Sequence, residues 1–516
     1  MLTFTVWTDP GRGMLFNSTP FIAGFLPIVL AGFFIATSLG GRWTPVVWLV
    51  AASLFFYGWW DYRNLFILVP SVVINYLLGR AIGERRQAGR AALAWRLLVL
   101  GVALNLAAIA YFKYFNFLVR NIADLSGVEY TLHHILLPIG ISFFTFQQIK
   151  FLVDRYTGKA PDQPDFRSYA LFVTFFPHVI AGPIVQHDEL LPQIQKRWFV
   201  RCSPDLFADG VALFLLGLAK KLILADQFSV YADQGFDAAD AGEPISFFIA
   251  WGAAMGYTLQ LYFDFSGYSD MAIGLARMFG LRFPLNFDSP YKAVNIVDFW
   301  RRWHMTLSRF LREYLYIPLG GNRRGPARRH VNLMATMLLG GLWHGAGWTF
   351  VVWGGLHGAF IVVNHLWHGL RRTVGLPAGQ PNVWGRVAGM LVTFLAVVVA
   401  WVFFRAKSFA AASDVLAGMA GRHGALLPSQ LVDLIPVLGR IATGVGVIPN
   451  LAGGTILGFV EMVGYFAIGL VIVFFTPHLH QVTARTRLML LVPSFGFVVQ
   501  KLLFAGDAAP FLYFQF

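Results

Sequence analysis

Asn332–Val363 reads NLMATMLLGGLWHGAGWTFVVWGGLHGAFIVV, a run apolar enough to lie in a bilayer, yet His344 sits well inside it. Hydrocarbon solvates neither a charge nor an unpaired N–H, so a histidine at that depth must find a partner or stay neutral. Such residues mostly face an interior cavity and do chemistry or transport there. The competing reading is a hydrogen-bonded histidine that only ties helices together. Gly340, Gly341, Gly345 and Gly347 flank His344. Glycines at this density let backbone or ligand approach closely and weaken a helix, so a helix break at His344 is expected. Close helix packing explains the glycines equally well, but not an ionisable side chain among them.

The same character extends over the chain. Of 516 residues, 57% are hydrophobic and 13% charged, against roughly 25% charged in soluble domains. Apolar runs occur near 20–38, 43–60, 65–82, 96–118, 136–153, 168–186, 208–225, 245–263, 333–346, 348–368, 385–404, 456–475 and 489–504. A spanning helix needs about 20 mostly apolar residues, and some of these runs are short or broken by Gly and Pro. About 11 full spans with one or two re-entrant segments are therefore expected. The runs are continuous rather than alternating, so the spans are helices and the chain reads as an all-α polytopic membrane protein.

A formal charge of +14 would suggest nucleic acid in a soluble protein. Here Arg and Lys fill cytoplasmic loops, and no nucleic-acid partner is expected. Three clusters mark that side: Arg80, Arg85, Arg86, Arg90 and Arg96; Lys196, Arg197 and Arg201; and Arg323, Arg324, Arg328 and Arg329. The loop after Phe117, with Asp124, Glu129, His133, His134 and only Arg120 as a nearby cation, reads as extracytoplasmic. Walking back from Arg80 through two hairpins puts the N-terminus outside as well. Cys202 is the single cysteine, which excludes an internal disulfide and argues against a zinc cluster or a cysteine nucleophile. The start, MLTFTVWTDPGRG, lacks the basic n-region of a cleavable signal. Nothing marks a second, soluble domain.

Residues 264–330 are polar, charged and thick with aromatics, and no 20-residue apolar span fits there. Asp298 to Tyr314 reads as one amphipathic helix, because Phe299, Trp303, Leu307 and Phe310 recur at three- and four-residue steps. On it His304, Ser308 and Arg312 form a polar row, with Asp298, Arg301 and Arg302 one to two turns earlier. The flanking arginines argue that this block lies at the cytoplasmic face or dips in from it. A membrane-surface helix without chemistry is the alternative. His357, 13 residues beyond His344, points away from it in an unbroken helix. His178 and His187 bracket IAGPIVQ beside Asp188 and Glu189, at a spacing that matches no familiar metal-ligand pattern. His478 and His480 lack a third ligand, and no metal site is expected. Phosphate loops, dinucleotide fingerprints and GxSxG elbows are absent.

Six blocks together resemble the membrane-bound O-acyltransferases, most closely the branch of alginate O-acetyltransferase membrane subunits. They are MLFNSTPFIAGFLPIVL from Met14, LLPIGISFFTFQQIKFLVDRYTG from Leu136, FFPHVIAGPI from Phe175, YFDFSGYSDMAIGLARMFG from Tyr262, SPYKAVNIVDFWRRWHMTLSRFLREYLYIPLGGNRRG from Ser289, and LLGGLWHGAGWTFVVWGGLHG from Leu338. Relatives typically begin at the MLFNS motif, so residues 1–13 read as an extra leader before a single membrane domain, 14–516. The resemblance implies a ring of about 11 tilted helices, with re-entrant and amphipathic helices, around a thinned centre open by funnels to both faces. It makes His344 the essential catalytic residue and His304 the second family histidine. Around them Trp343, Trp303, Ser308, Arg301, Arg312 and Asp298 are candidate substrate-binding positions.

The resemblance further implies a bacterial inner-membrane enzyme with no bound cofactor. Its expected donor is acetyl-CoA or another cytoplasmic acyl thioester. The expected partners are a periplasmic acetyltransferase or acetyl-carrier protein, the exported-polysaccharide machinery and membrane lipid, with alginate, cellulose or another exported glycan as the polymer. Within the family, teichoic acid, lipids and proteins are competing acceptors. From another class, a transporter or export channel would use His344 as a proton relay, although no inverted repeats are evident. A non-catalytic scaffold would tolerate replacement of either histidine.

Overall fold

The computed structural model describes residues 14–128, 133, 135–160, 162–196, 203–375, 382–428, 447–450, 456–504 and 509–512. Residues 1–13, Glu129, His134, Arg197, Arg201 and Cys202 lie outside them. Helices dominate, because a chain this apolar must satisfy its backbone polar groups within each segment. Among the described residues, six helices are long and apolar enough to cross a membrane: Pro20–Ser38, Tyr62–Gln87, Ala91–Ser126, Trp348–Thr373, Val383–Arg405 and Leu457–Phe475. The run at 43–60 is a shorter helix, Thr44–Trp60.

Two sequence expectations need correction. The run at 168–186 is helical only over Phe166–Thr174, after which the chain turns through Phe175–Gly182. The polar start of the central block, Asp264–Met278, is not separate but completes the 32-residue helix Phe247–Met278. The all-α class holds, with one short addition: Ala425–Pro428 pairs in parallel with Val447–Asn450, Ala425 opposite Val447.

The chain divides into two compact units. The first comprises Met1–Ala219, Phe265–Asn286 and Val482–Phe516. Its core is aromatic: Phe25 meets Phe176 edge-on at 5.3 Å between ring centroids, and Phe16 stacks on Tyr268 at 4.9 Å. Buried polar groups pair off there. His187 Nε2 lies 2.9 Å from Asp154 Oδ2, which also takes Lys150 Nζ at 2.7 Å. His178 Nδ1 lies 3.2 Å from Gln147 Nε2. His178 and His187 thus bond to different partners, as helix-end packing requires. Gln186 and the Glu189 side chain close a capping box at the start of His187–Gln195.

The second unit comprises Lys220–Asp264 and Phe287–Gln481. Lys221, in the wide turn Lys220–Ala225, bonds Asp226 and buried Asp264, each at 2.8 Å. Its other helices include Gly325–His344, Trp348–Thr373, Val383–Arg405 and Phe409–Met419. Pro326 opens the first of them, where its missing N–H costs nothing. Asn382 and Ser408 cap the last two through bonds of 2.8 and 3.1 Å to Gly385 and Ala411 N–H.

Candidate active site

Gly325–His344 and Trp348–Thr373 form a helical hairpin, and His344 is the last residue of the first arm. The break expected at the glycines is therefore present, with Gly345 and Gly347 in extended conformations. The arms approach backbone to backbone: a Cβ on Gly341 would stand 2.3 Å from the Phe350 carbonyl oxygen and 3.1 Å from the Gly354 Cα. So Gly341 serves close helix packing, while the break beside it releases His344 from the helix end.

The helix expected over Asp298–Tyr314 is interrupted. Ile296–Arg302 ends at an extended Trp303, and His304 takes a left-handed conformation (φ 41°, ψ 53°) before Met305–Leu311 begins. For a residue with a Cβ this conformation costs about 1–2 kcal/mol. His304 caps the second helix through its carbonyl, which accepts from Ser308 N–H at 2.9 Å. Its side chain is thus not in a row with Ser308 and Arg312. Apolar spacing continues on both sides of the reversal, so periodicity could not reveal it.

These two breaks bring the imidazoles together. The rings of His304 and His344 lie 6.5 Å apart, centroid to centroid. Around His344 stand Trp343 at 4.9 Å, Trp353 at 5.1 Å and Phe404 at 5.3 Å, all edge-on. Trp401 stacks on Trp353 at 5.4 Å and meets Trp303 at 5.1 Å. His304 has no accessible surface whereas His344 keeps 7%, so His344 is the more approachable ring. Burial pushes the His304 imidazole down to about 3, which leaves it neutral.

Of the expected binding positions, Trp303 and Trp343 belong to this shell. The Ser308 hydroxyl donates to the Trp303 carbonyl at 3.2 Å and so supports the turn. Asp298 accepts from Arg302 at 2.9 Å, and Arg301 and Arg312 are exposed. Sequence reasoning missed His357, Trp353, Trp401 and Phe404. His357 is fully buried, 4.8 Å from Trp353, and its Nδ1 accepts from the Trp300 indole N–H at 3.3 Å. The expectation that His357 points away assumed an unbroken helix; the hairpin returns it to the same aromatic shell. The echo of GGLWHG, Gly340–Gly345, in GGLHG, Gly354–Gly358, was the available signal. Trp401 and Phe404 carried none, since any core aromatic in an apolar run looks alike. Among the described residues, no group of three His, Cys, Asp or Glu side chains could hold a metal ion.

Comparison with known proteins bears on this arrangement. The model of the membrane-bound O-acyltransferase family matches residues 90–400. A "Peptidoglycan O-acetyltransferase" of Helicobacter pylori is 39% identical over 98% of each chain. A "Probable alginate O-acetylase" of Pseudomonas aeruginosa is 42% identical over 77% of this chain and 72% of its own. A protein of the same name from Pseudomonas putida is 41% identical over 79% of this chain and 80% of its own.

Proposed function

The chain belongs to the membrane-bound O-acyltransferase family, and from that premise we propose that it carries acetyl groups from a cytoplasmic thioester to an exported polysaccharide. It is a multi-pass membrane protein and an O-acyltransferase. The relatives' names give peptidoglycan and alginate as the acetylated polymers. Peptidoglycan therefore joins alginate as a proposed acceptor polymer, and cellulose has no support from them. In this reading about 11 tilted spans surround a thinned centre in the bacterial inner membrane, with the N-terminus periplasmic. A periplasmic acetyltransferase or carrier protein receives the group.

His344 acts as general base. It takes the proton of an acceptor hydroxyl entering from the periplasmic side, and that oxygen attacks the carbonyl carbon of acetyl-CoA or another acyl thioester. The tetrahedral intermediate collapses, the C–S bond breaks, and the thiolate leaves with the proton from His344 as a thiol. His304, neutral, orients the donor or offers an N–H to the developing oxyanion. The 6.5 Å ring separation supports assigning the two imidazoles to one site. The aromatic shell limits bulk water and so guards the thioester against hydrolysis.

The observation that carries this reading is the approach of two buried imidazoles across two chain breaks, in a chain of this family. The deciding experiment supplies acetyl-CoA labelled in the acetyl group to membranes holding the protein and its periplasmic partner. Label on the partner or glycan, lost in His344→Ala, is expected. Flux of substrate without covalent label would identify a transporter instead.

A further inference from the structure

The first unit holds a cavity of about 310 Å³ lined by Leu206, Asp209, Arg277, Arg282, Phe283 and Arg487. Three arginines and one carboxylate are among its lining side chains. Arg487 binds Asp209 Oδ1 through Nε at 2.8 Å and Nη2 at 2.5 Å, and Arg277 Nη1 binds Oδ2. These two arginines tie the helix Pro204–Ala219 to the end of Phe247–Met278 and the start of Ala484–Phe504.

Arg282 has a different position. Its backbone is held on both sides: its N–H donates to Gln193 Oε1 at 3.0 Å, and its carbonyl accepts from Gln193 Nε2 at 2.9 Å. Its side chain is exposed, and its guanidinium makes no hydrogen bond or ion pair among the described residues. Three guanidiniums at a concave surface, one of them pinned by its backbone and free at its tip, suit a phosphate, which accepts several charge-assisted hydrogen bonds at once. Small-molecule sites run from about 300 to 1,000 Å³, so this cavity takes the phosphate end of a larger molecule rather than all of it.

We propose that this cavity binds a phosphate-bearing ligand. The sequence just before Pro204 carries Lys196, Arg197 and Arg201, cations that assign this helix end to the cytoplasmic side. Two sources of phosphate meet there: the phosphates of coenzyme A, an arm that rests on the proposed function, and the headgroup of an anionic phospholipid, which does not.

The test uses the full chain in nanodiscs of phosphatidylcholine, with or without phosphatidylglycerol. Coenzyme A is titrated by calorimetry, and retained phosphatidylglycerol is counted by native mass spectrometry. Arg282→Ala is the informative variant because it leaves the Asp209 ion pairs intact. It is expected to weaken one of the two ligands about tenfold, with Arg282→Lys keeping most of the affinity. A response confined to coenzyme A identifies the soluble source, and one confined to phosphatidylglycerol the lipid. Unchanged binding of both in Arg282→Ala and Arg282→Glu would overturn the proposal. Binding that persists while labelled acetyl transfer fails would sink the proposed function and leave this site standing.

Discussion

Gly341→Ala is the sharpest probe of how the hairpin sets the site. Its added Cβ would stand 2.3 Å from the Phe350 carbonyl oxygen, where ordinary contact begins at 3.4 Å, a shortfall of 1.1 Å. The obstacle is backbone, so no rotamer change relieves it. The arms of the hairpin must part by about 1 Å near His344. Overpacking of this kind costs about 1–3 kcal/mol, and a 1 Å displacement of reacting groups can cost about 10²-fold in rate. Gly355→Ala is the control: its Cβ would meet only the Leu338 side chain, at 3.4 Å. Acetyl transfer per folded molecule, measured in detergent after thermal-unfolding scans of both variants, is expected to fall about 100-fold for Gly341→Ala and little for Gly355→Ala. Equal activity in the two variants would refute the claim that this contact positions His344.

His344→Ala is expected to abolish labelled acetyl transfer with a near-normal melting curve and partner binding; full activity removes the base assignment. His304→Ala is expected to lower transfer by about 10² or more, read as kcat at saturating donor. His304 also predicts a pH effect on stability. Its imidazole is held near 3 in the fold against about 6.5 unfolded, so the unfolded chain binds more protons in between. Stability present above pH 6.5 is lost towards pH 3, by up to about 1.4 kcal/mol per unit, and His304→Asn should flatten that limb of the melting profile. Asp264→Ala removes one of the two carboxylates that bond buried Lys221 at 2.8 Å and is expected to cost about 3 kcal/mol of stability, visible as a lowered unfolding temperature.

Much of this was legible in the chain. Continuous apolar runs fix a helical membrane protein, because backbone polar groups in lipid have no other partners. The glycines around His344 pointed to the helix break that follows it. Composition reports polarity, however, not which side a segment faces. The run at 168–186 is apolar because protein surrounds it: Phe172, Phe175 and Phe176 are fully buried.

The tertiary structure alone decided which residues share the site. Spacing assigns faces within one uninterrupted element. A single left-handed residue at His304 and an extended pair of glycines after His344 each restart that count. They separate His304 from the row expected with Ser308 and Arg312, leave Arg301 and Arg312 exposed, and bring His357 and Trp353 into the shell with Trp401. Side chains far apart in the chain meet only after these turns are made, and no local period encodes where a turn sends the chain.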